Sequence, residues 1–233
     1  MTRDKKIMPS LYICFFQSSG YGVLITALSV FFVILLTMQQ PLTTDLLRET
    51  LEKVHHFTDE AYYQLTTLFE ERTLAKNEML FKQGAIVKSL GFILKGCMRQ
   101  YQEGTGGSER NLFFAEEGWW CGEMDSFINR SPSVASMQAV EDCTILSVGR
   151  EAWEQATRTI PDYALYQIKN RGRTVAWFKN KLGSLHTETP DEKYRRILKE
   201  SPHWMNRLPQ YHIASYLGVT PETLSRIRKR NCW

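Results

Sequence analysis

Hydrophobic and polar positions change their period along the chain. Between residues 72 and 148 short apolar runs alternate with turn residues. Met79–Phe81 precedes Gln83-Gly84, Leu90–Leu94 precedes Lys95-Gly96, and Met98–Gln102 precedes Gly104-Thr-Gly-Gly107. Asn111–Phe114 then precedes Glu117-Gly118, and Cys143–Val148 precedes Gly149. Runs of this length, closed by glycine-bearing turns, predict the strands of a sandwich or barrel-like roll. On either side the period is helical. Asp45–Val54 and Asp59–Glu70 read as helices, the second with Thr58 as N-cap, while Arg150–Ala156 and a long Ile160–Leu185 follow the strands. Thr189-Pro190 marks a break, and Asp191–Lys199 starts a new helix.

Residues 208–230 carry the sharpest pattern. Ile213, Ala214 and Leu217 share one helical face, Gly218 supplies the positive φ of a tight turn, Thr220 is an N-cap and Pro221 opens a second helix. In that second helix Leu224 and Ile227 point one way. Glu222, Ser225, Arg226 and Lys229 fall at i, i+3, i+4 and i+7 on another face. An αα-hairpin with a solvated charged face has the same outline. The cap, the turn and the stripe together favour a helix-turn-helix whose second helix reads a DNA major groove. There Arg pairs with guanine, Glu accepts from cytosine N4 and Ser takes a base or a phosphate. The candidate DNA-binding residues are Thr220, Glu222, Ser225, Arg226, Arg228, Lys229 and Arg230.

The long helical segment holds a second pattern. Leu165, Ile168, Gly172, Val175, Lys179 and Leu182 alternate spacings of three and four, a heptad-like seam interrupted by a glycine and a lysine. Such a seam suits either packing on the chain's own strands or pairing with a second copy. Charge separates the regions further. Residues 38–160 carry 12 basic against 18 acidic side chains, residues 161–185 carry 5 against 1, and residues 186–233 carry 9 against 5. A basic end on an acidic body is the electrostatic footprint of a DNA-binding unit joined to something else.

A roll, a long helix and a C-terminal helix-turn-helix, in that order, resemble the CRP/FNR family of bacterial transcription regulators, over about residues 41–230. Thr220-Pro-Glu-Thr-Leu-Ser-Arg226 is similar to the start of the family's recognition helix, which implies base reading by Glu222 and Arg226 and a contact by Ser225. Gly118-Trp-Trp-Cys-Gly-Glu123 and Ala135–Val148 are similar to the family's phosphate-binding cassette and its following strand. The resemblance implies an α+β fold. An N-terminal, cyclic-nucleotide-binding-like β-roll with flanking helices spans 41–158 and a long dimerisation helix spans 160–185. A C-terminal all-α helix-turn-helix spans 188–233, without a clear wing after the recognition helix. The implied partners are double-stranded DNA with a pseudo-palindromic operator, a second copy of the chain, RNA polymerase and a small effector of unknown identity, in the cytoplasm.

The departures from the family pattern matter. Aligned on Ala139 and Cys143, Ser133 and Val134 stand where cyclic-AMP-binding members carry Arg and a hydroxyl residue. Glu123, which implies a bond to a ribose hydroxyl, remains, and Arg130 lies three residues upstream of Ser133. The candidate ligand pocket is therefore Gly122, Glu123, Arg130 and Ser133. A cyclic phosphate buried there without a paired cation is very unfavourable. The expectation is a relic pocket, or one for another ligand.

The remaining chemistry is sparse. Cys14, Cys97, Cys121, Cys143 and Cys232 form no CxxC pair and no cluster, which implies free thiols in a reducing compartment. The five histidines lack metal spacing, and His212 reads as a surface residue or a phosphate contact in the first helix of the reader. No nucleophile–base pair, metal set or phosphate loop of recognised spacing is present, so neither an enzyme nor a cofactor is expected. Residues 21–37 are apolar and charge-free, the lower edge of a membrane span, and Arg3, Lys5 and Lys6 before them give a signal-peptide outline. The 1–37 leader is thus a membrane segment, a signal peptide, or upstream sequence ahead of a true start at Met38. Only the last leaves a DNA reader inside the cell without conflict. The rival reading of the whole chain is a membrane-anchored cyclic-nucleotide-like ligand-binding module with a structural C-terminal hairpin.

Overall fold

The computed structural model describes residues 43–231. The 1–37 leader, Cys14 and Cys232 lie outside them. Two helices, α1 (Thr43–Glu52) and α2 (Asp59–Thr66), lead into a β-roll. Its strands are β1 (Glu70–Leu74), β2 (Met79–Phe81), β3 (Ser89–Lys95), β4 (Met98–Glu103), β5 (Glu109–Ala115), β6 (Trp120–Cys121), β7 (Ser136–Ala139) and β8 (Cys143–Gly149), with α3 (Met124–Asn129) between β6 and β7. Then follow α4 (Arg150–Thr159), the long α5 (Pro161–Thr187), α6 (Pro190–Glu200), a single turn α7 (Trp204–Arg207), α8 (Gln210–Leu217) and α9 (Pro221–Asn231). The fold is α+β: a roll of two antiparallel sheets, a long helix and a C-terminal helical region.

Each sheet has four strands, in the orders β1-β8-β3-β6 and β2-β7-β4-β5. The inner faces meet in one apolar core. Phe92, Ile93, Met98, Phe127, Met137 and Ile145 have no exposed surface at all, and Tyr163 and Tyr166 of α5 close the same cluster. Burial of such side chains stabilises by roughly 1.5–3 kcal/mol each, which explains why the apolar runs of the sequence sit on the inside. The helix starts follow their caps. Thr58 Oγ1 accepts from the Ala61 amide at 3.2 Å, and Thr189 and Glu192 form a reciprocal capping box at the start of α6. Asp162, at the start of α5, accepts from the Thr58 amide at 3.2 Å and lies 3.3 Å from His55, tying α5 to the helices before the roll.

Several expected boundaries move. The Asp59–Glu70 helix ends at Thr66, because Thr66 and Thr67 turn their hydroxyls back onto the carbonyls of Tyr63 and Gln64, each at 2.8 Å. Glu70 instead begins β1, whose sequence Glu-Glu-Arg-Thr-Leu buries only Leu74 and so shows no apolar alternation. Strand β6, helix α3 and helix α7 are too short to leave a period. Cys97, Cys121 and Cys143 are buried free thiols, and burial raises each above its ordinary range, to about 12 for Cys121 and about 11 for Cys143. Among the described residues no helix is long and apolar enough to cross a membrane.

Candidate functional site

The C-terminal helices build the first candidate surface. Gly218 ends α8 in the left-handed region at φ 74°, a conformation that costs a side-chain-bearing residue about 1 kcal/mol or more. The chain then turns through Val219, and the Thr223 amide donates to Thr220 Oγ1 at 3.2 Å to cap α9. Leu224 and Ile227 are each 1% exposed and pack on Ile213, Ala214 and Leu217 of α8 and on Tyr194 and Ile197 of α6. That fixes the other face of α9 outward, and Glu222, Ser225, Arg226 and Lys229 are all exposed on it. Arg226 donates to Thr223 Oγ1 at 3.1 Å, which draws the guanidinium along the helix. The Glu222 carboxyl is held below its usual range by its own backbone amide and by the Thr220 hydroxyl, so it remains an acceptor. Arg228 is half-buried on the flank of the stripe, and Arg230 is exposed but lies 3.2 Å from Asp191 of α6.

The C-terminal helices pack against the outer face of the roll. Phe114 of β5, with Cys97 and Val140, joins the buried cluster of the C-terminal helices, and its ring meets Trp204 edge-on at 5.0 Å. Around this contact lies a set of charges that the sequence did not single out. Arg207 donates to Glu117 at 2.6 and 2.9 Å, to Glu116 at 3.2 Å and to Glu141 at 2.9 Å. Trp204 Nε1 donates to Glu116 at 2.6 Å, and His203 bonds the same carboxylate. Burial alone would raise the Glu117 carboxyl, but its bonds from Arg207 and the Gly96 amide hold it below the usual range.

His212 corrects the surface reading made from sequence. It is buried, because α8 lies flat on β5, and the Asn111 side chain donates to its carbonyl at 2.9 Å. Desolvation first, then the Arg99 charge, push its imidazole down to about 4. Asn111 also accepts from Arg99 at 3.1 Å and donates its amide to Ser215 Oγ at 2.9 Å. No periodic signal reports these residues, because their partners lie about a hundred positions away.

The second candidate surface is α5. The residues at 163, 166, 167, 170, 174 and 177 repeat at helical spacing and turn toward the roll. Leu165, Ile168, Val175 and Leu182, on the opposite side, are 46, 67, 59 and 58% exposed. The seam expected from the sequence is thus an uncovered apolar stripe, larger than isolated surface leucines explain.

Between α5 and the roll lies a cavity of about 680 Å³. Of the four expected pocket residues, Gly122 and Glu123 border it. Gly122 has φ 143°, and a Cβ there would stand 2.6 Å from Leu90, so only glycine fits. Ser133 does not reach this cavity. It is buried, its hydroxyl is spent on the Ala135 carbonyl at 2.7 Å, and it borders a separate hollow with Gly84 and Arg110. Arg130, an exposed left-handed residue at the end of α3, borders neither. The expected set is therefore not one site. Among the described residues no group of three His, Cys, Asp or Glu is placed to hold a metal ion.

Comparison with known proteins matches residues 71–159, from β1 to the end of α4, to the cyclic nucleotide-binding domain. This is a cyclic nucleotide-binding-domain protein related to the CRP/FNR regulators. Among its relatives is the cyclic AMP receptor protein of Thermus thermophilus, 25% identical over 163 residues, which are 68% of this chain and 75% of that protein. The probable transcriptional regulator flp of Lacticaseibacillus casei is 23% identical over 181 residues, 75% of this chain and 82% of that one. In fold, the c-di-GMP-responsive global regulator CLP of Xanthomonas campestris superposes with a TM-score of 0.60 at 17% identity, covering 74% of this chain and 91% of its own. None of these three names describes an enzyme. The family match ends before α5, so the C-terminal surface stands on its own geometry.

Proposed function

We propose that this protein is a CRP/FNR-type transcription regulator in the cytoplasm that binds a pseudo-palindromic operator in double-stranded DNA as a homodimer and acts with RNA polymerase. The observation that carries this reading is the exposed stripe of Glu222, Ser225, Arg226 and Lys229, held outward by fully buried Leu224 and Ile227. Glu222 and Arg226 lie one helical turn apart and read adjacent base pairs. Thr220, Arg228, Lys229 and Arg230 serve the phosphates, Arg230 after release from Asp191. The roll senses a small effector through the cavity beneath α5. Strand β5 couples the two, since Phe113 borders that cavity while the next residue, Phe114, packs on the reader.

The test is a binding-site selection followed by titration of the full chain. Arg226→Ala should cost about 1–3 kcal/mol at one G·C pair and relax preference there. Arg228→Ala should weaken binding on every sequence and lower the salt slope by about one unit. Identical sequence profiles for wild type and Arg226→Ala would remove Arg226 from base reading. For the dimer, Leu165→Glu with Val175→Glu should place charge on the exposed stripe and give a monomer by sedimentation. An unchanged dimer would put the interface elsewhere.

A further inference from the structure

We propose that the cavity beneath α5 binds a planar aromatic carboxylate. The proposal rests on the regulator reading only in naming such a ligand as its effector. The volume, about 680 Å³, falls within the roughly 300–1,000 Å³ of small-molecule sites. The wall is aromatic. Phe113 and Trp119 approach Trp177 edge-on, with centroids 6.1 and 5.7 Å away, and Phe178 stands 4.9 Å from Trp177. Trp119, Trp177 and Phe178 remain 40, 36 and 49% exposed, so the mouth of the cavity holds apolar rings in water. A flat aromatic ligand covers them and meets their edges and faces in the geometry that rings prefer.

Two polar features select among aromatic ligands. Gln100, on the inner face of β4, is 6% exposed and borders the cavity, and its amide has no hydrogen-bond partner among the described residues. A ring substituent that donates or accepts would satisfy it. At another wall the exposed guanidinium of Arg173 donates to the Lys53 backbone carbonyl at 3.0 Å and has no carboxylate partner among the described residues. The Asp125 carboxylate at the rim is turned to its own helix end, accepting from Asn129 at 2.7 Å and Ser131 at 3.2 Å. A ligand carboxylate would pair with the Arg173 guanidinium. A cyclic nucleotide meets no clamp, because Ser133 borders a different hollow with its hydroxyl already bonded.

The experiment is calorimetry on the full chain with three probes: naphthalene-1-carboxylate, naphthalene-1-methanol and cyclic AMP. The carboxylate should give saturable heat at roughly tens of micromolar, the neutral alcohol should bind about tenfold more weakly, and cyclic AMP should give no saturable heat. Arg173→Gln should bring the carboxylate down to the level of the alcohol. Trp177→Ala should weaken both, and if that variant does not fold, the exposed Arg173→Gln still decides. Equal affinities for carboxylate and alcohol, unchanged carboxylate affinity in Arg173→Gln, or micromolar cyclic AMP binding would each overturn the proposal. A gel shift with the selected operator on the same preparation separates the two readings. Carboxylate binding without DNA binding keeps this site and overturns the regulator, whereas DNA binding with no heat from the carboxylate overturns this site alone.

Discussion

The roll has two packed faces, and they are held by different forces. Inside, Phe92, Ile93, Phe127, Met137 and Ile145 meet with no exposed surface and no charge. Outside, where α7 and α8 dock, Phe114 and Trp204 form a small apolar contact ringed by Arg207, Glu116, Glu117, Glu141 and the buried Arg99–Asn111–His212 set. Apolar burial is non-directional and survives small shifts. Charged hydrogen bonds require one geometry, and their desolvation offsets most of what they gain. The inner face therefore holds the roll together, and the outer face fixes the orientation of the C-terminal helices.

The largest effect that would sharpen this contrast is a cavity inside. Phe92→Ala removes a ring with no exposed surface between β8 and β6, and should cost about 3–5 kcal/mol of global stability by denaturant titration. A loss under about 1 kcal/mol would mean that the inner core is loosely packed and the contrast false.

Next comes the outer face. Arg207→Ala removes the guanidinium that Glu116, Glu117 and Glu141 share. We expect a loss of about 1–3 kcal/mol, confined to the docked helices, because the carboxylates are only partly buried. Hydrogen exchange should quicken in α7 and α8 while β3 keeps its protection. Equal acceleration in β3 would show that the two faces unfold as one.

These same contacts mark what the sequence could and could not tell. The exposed stripe of α9 was legible because Glu222, Ser225, Arg226 and Lys229 are set by spacing within one element, and the cap at Thr220 and the turn at Gly218 are equally local. The strands with glycine turns were legible for the same reason. The cavity was not, since it gathers Lys53, Gln100, Trp119 and Arg173 from four distant stretches. Alignment to the family supplied Ser133 and Arg130 instead, and the structure turns both away from it. Arg207 offered no signal, because an arginine at the end of a four-residue helix looks like any surface charge until β5 and the loop at Glu141 come alongside.

The smallest predicted effect concerns pH at the outer face. His212 sits against Arg99 and Asn111, with Glu109 nearby through its ion pair with Arg99 at 2.6 Å. Burial and the Arg99 charge lower its pKa from 6.5 to about 4, so the folded state keeps the ring neutral where the unfolded chain protonates it. The unfolded state then binds more protons across that window, and stability rises with pH. The contribution is complete above pH 6.5 and is lost as the pH falls toward 4. Between pH 7 and 5.5 the loss should be about 1 kcal/mol, within the ceiling of ~1.4 kcal/mol per pH unit for one proton. Glu117 beside Arg207 is held below its usual range, so it does not mimic the histidine. Urea midpoints at pH 7, 6 and 5.5 should therefore fall for the wild type and stay nearly level for His212→Gln, which keeps a polar partner for Asn111 but cannot protonate. Parallel declines in the two proteins would place the pH sensitivity elsewhere and leave the docking of α8 on β5 indifferent to the charge of its histidine.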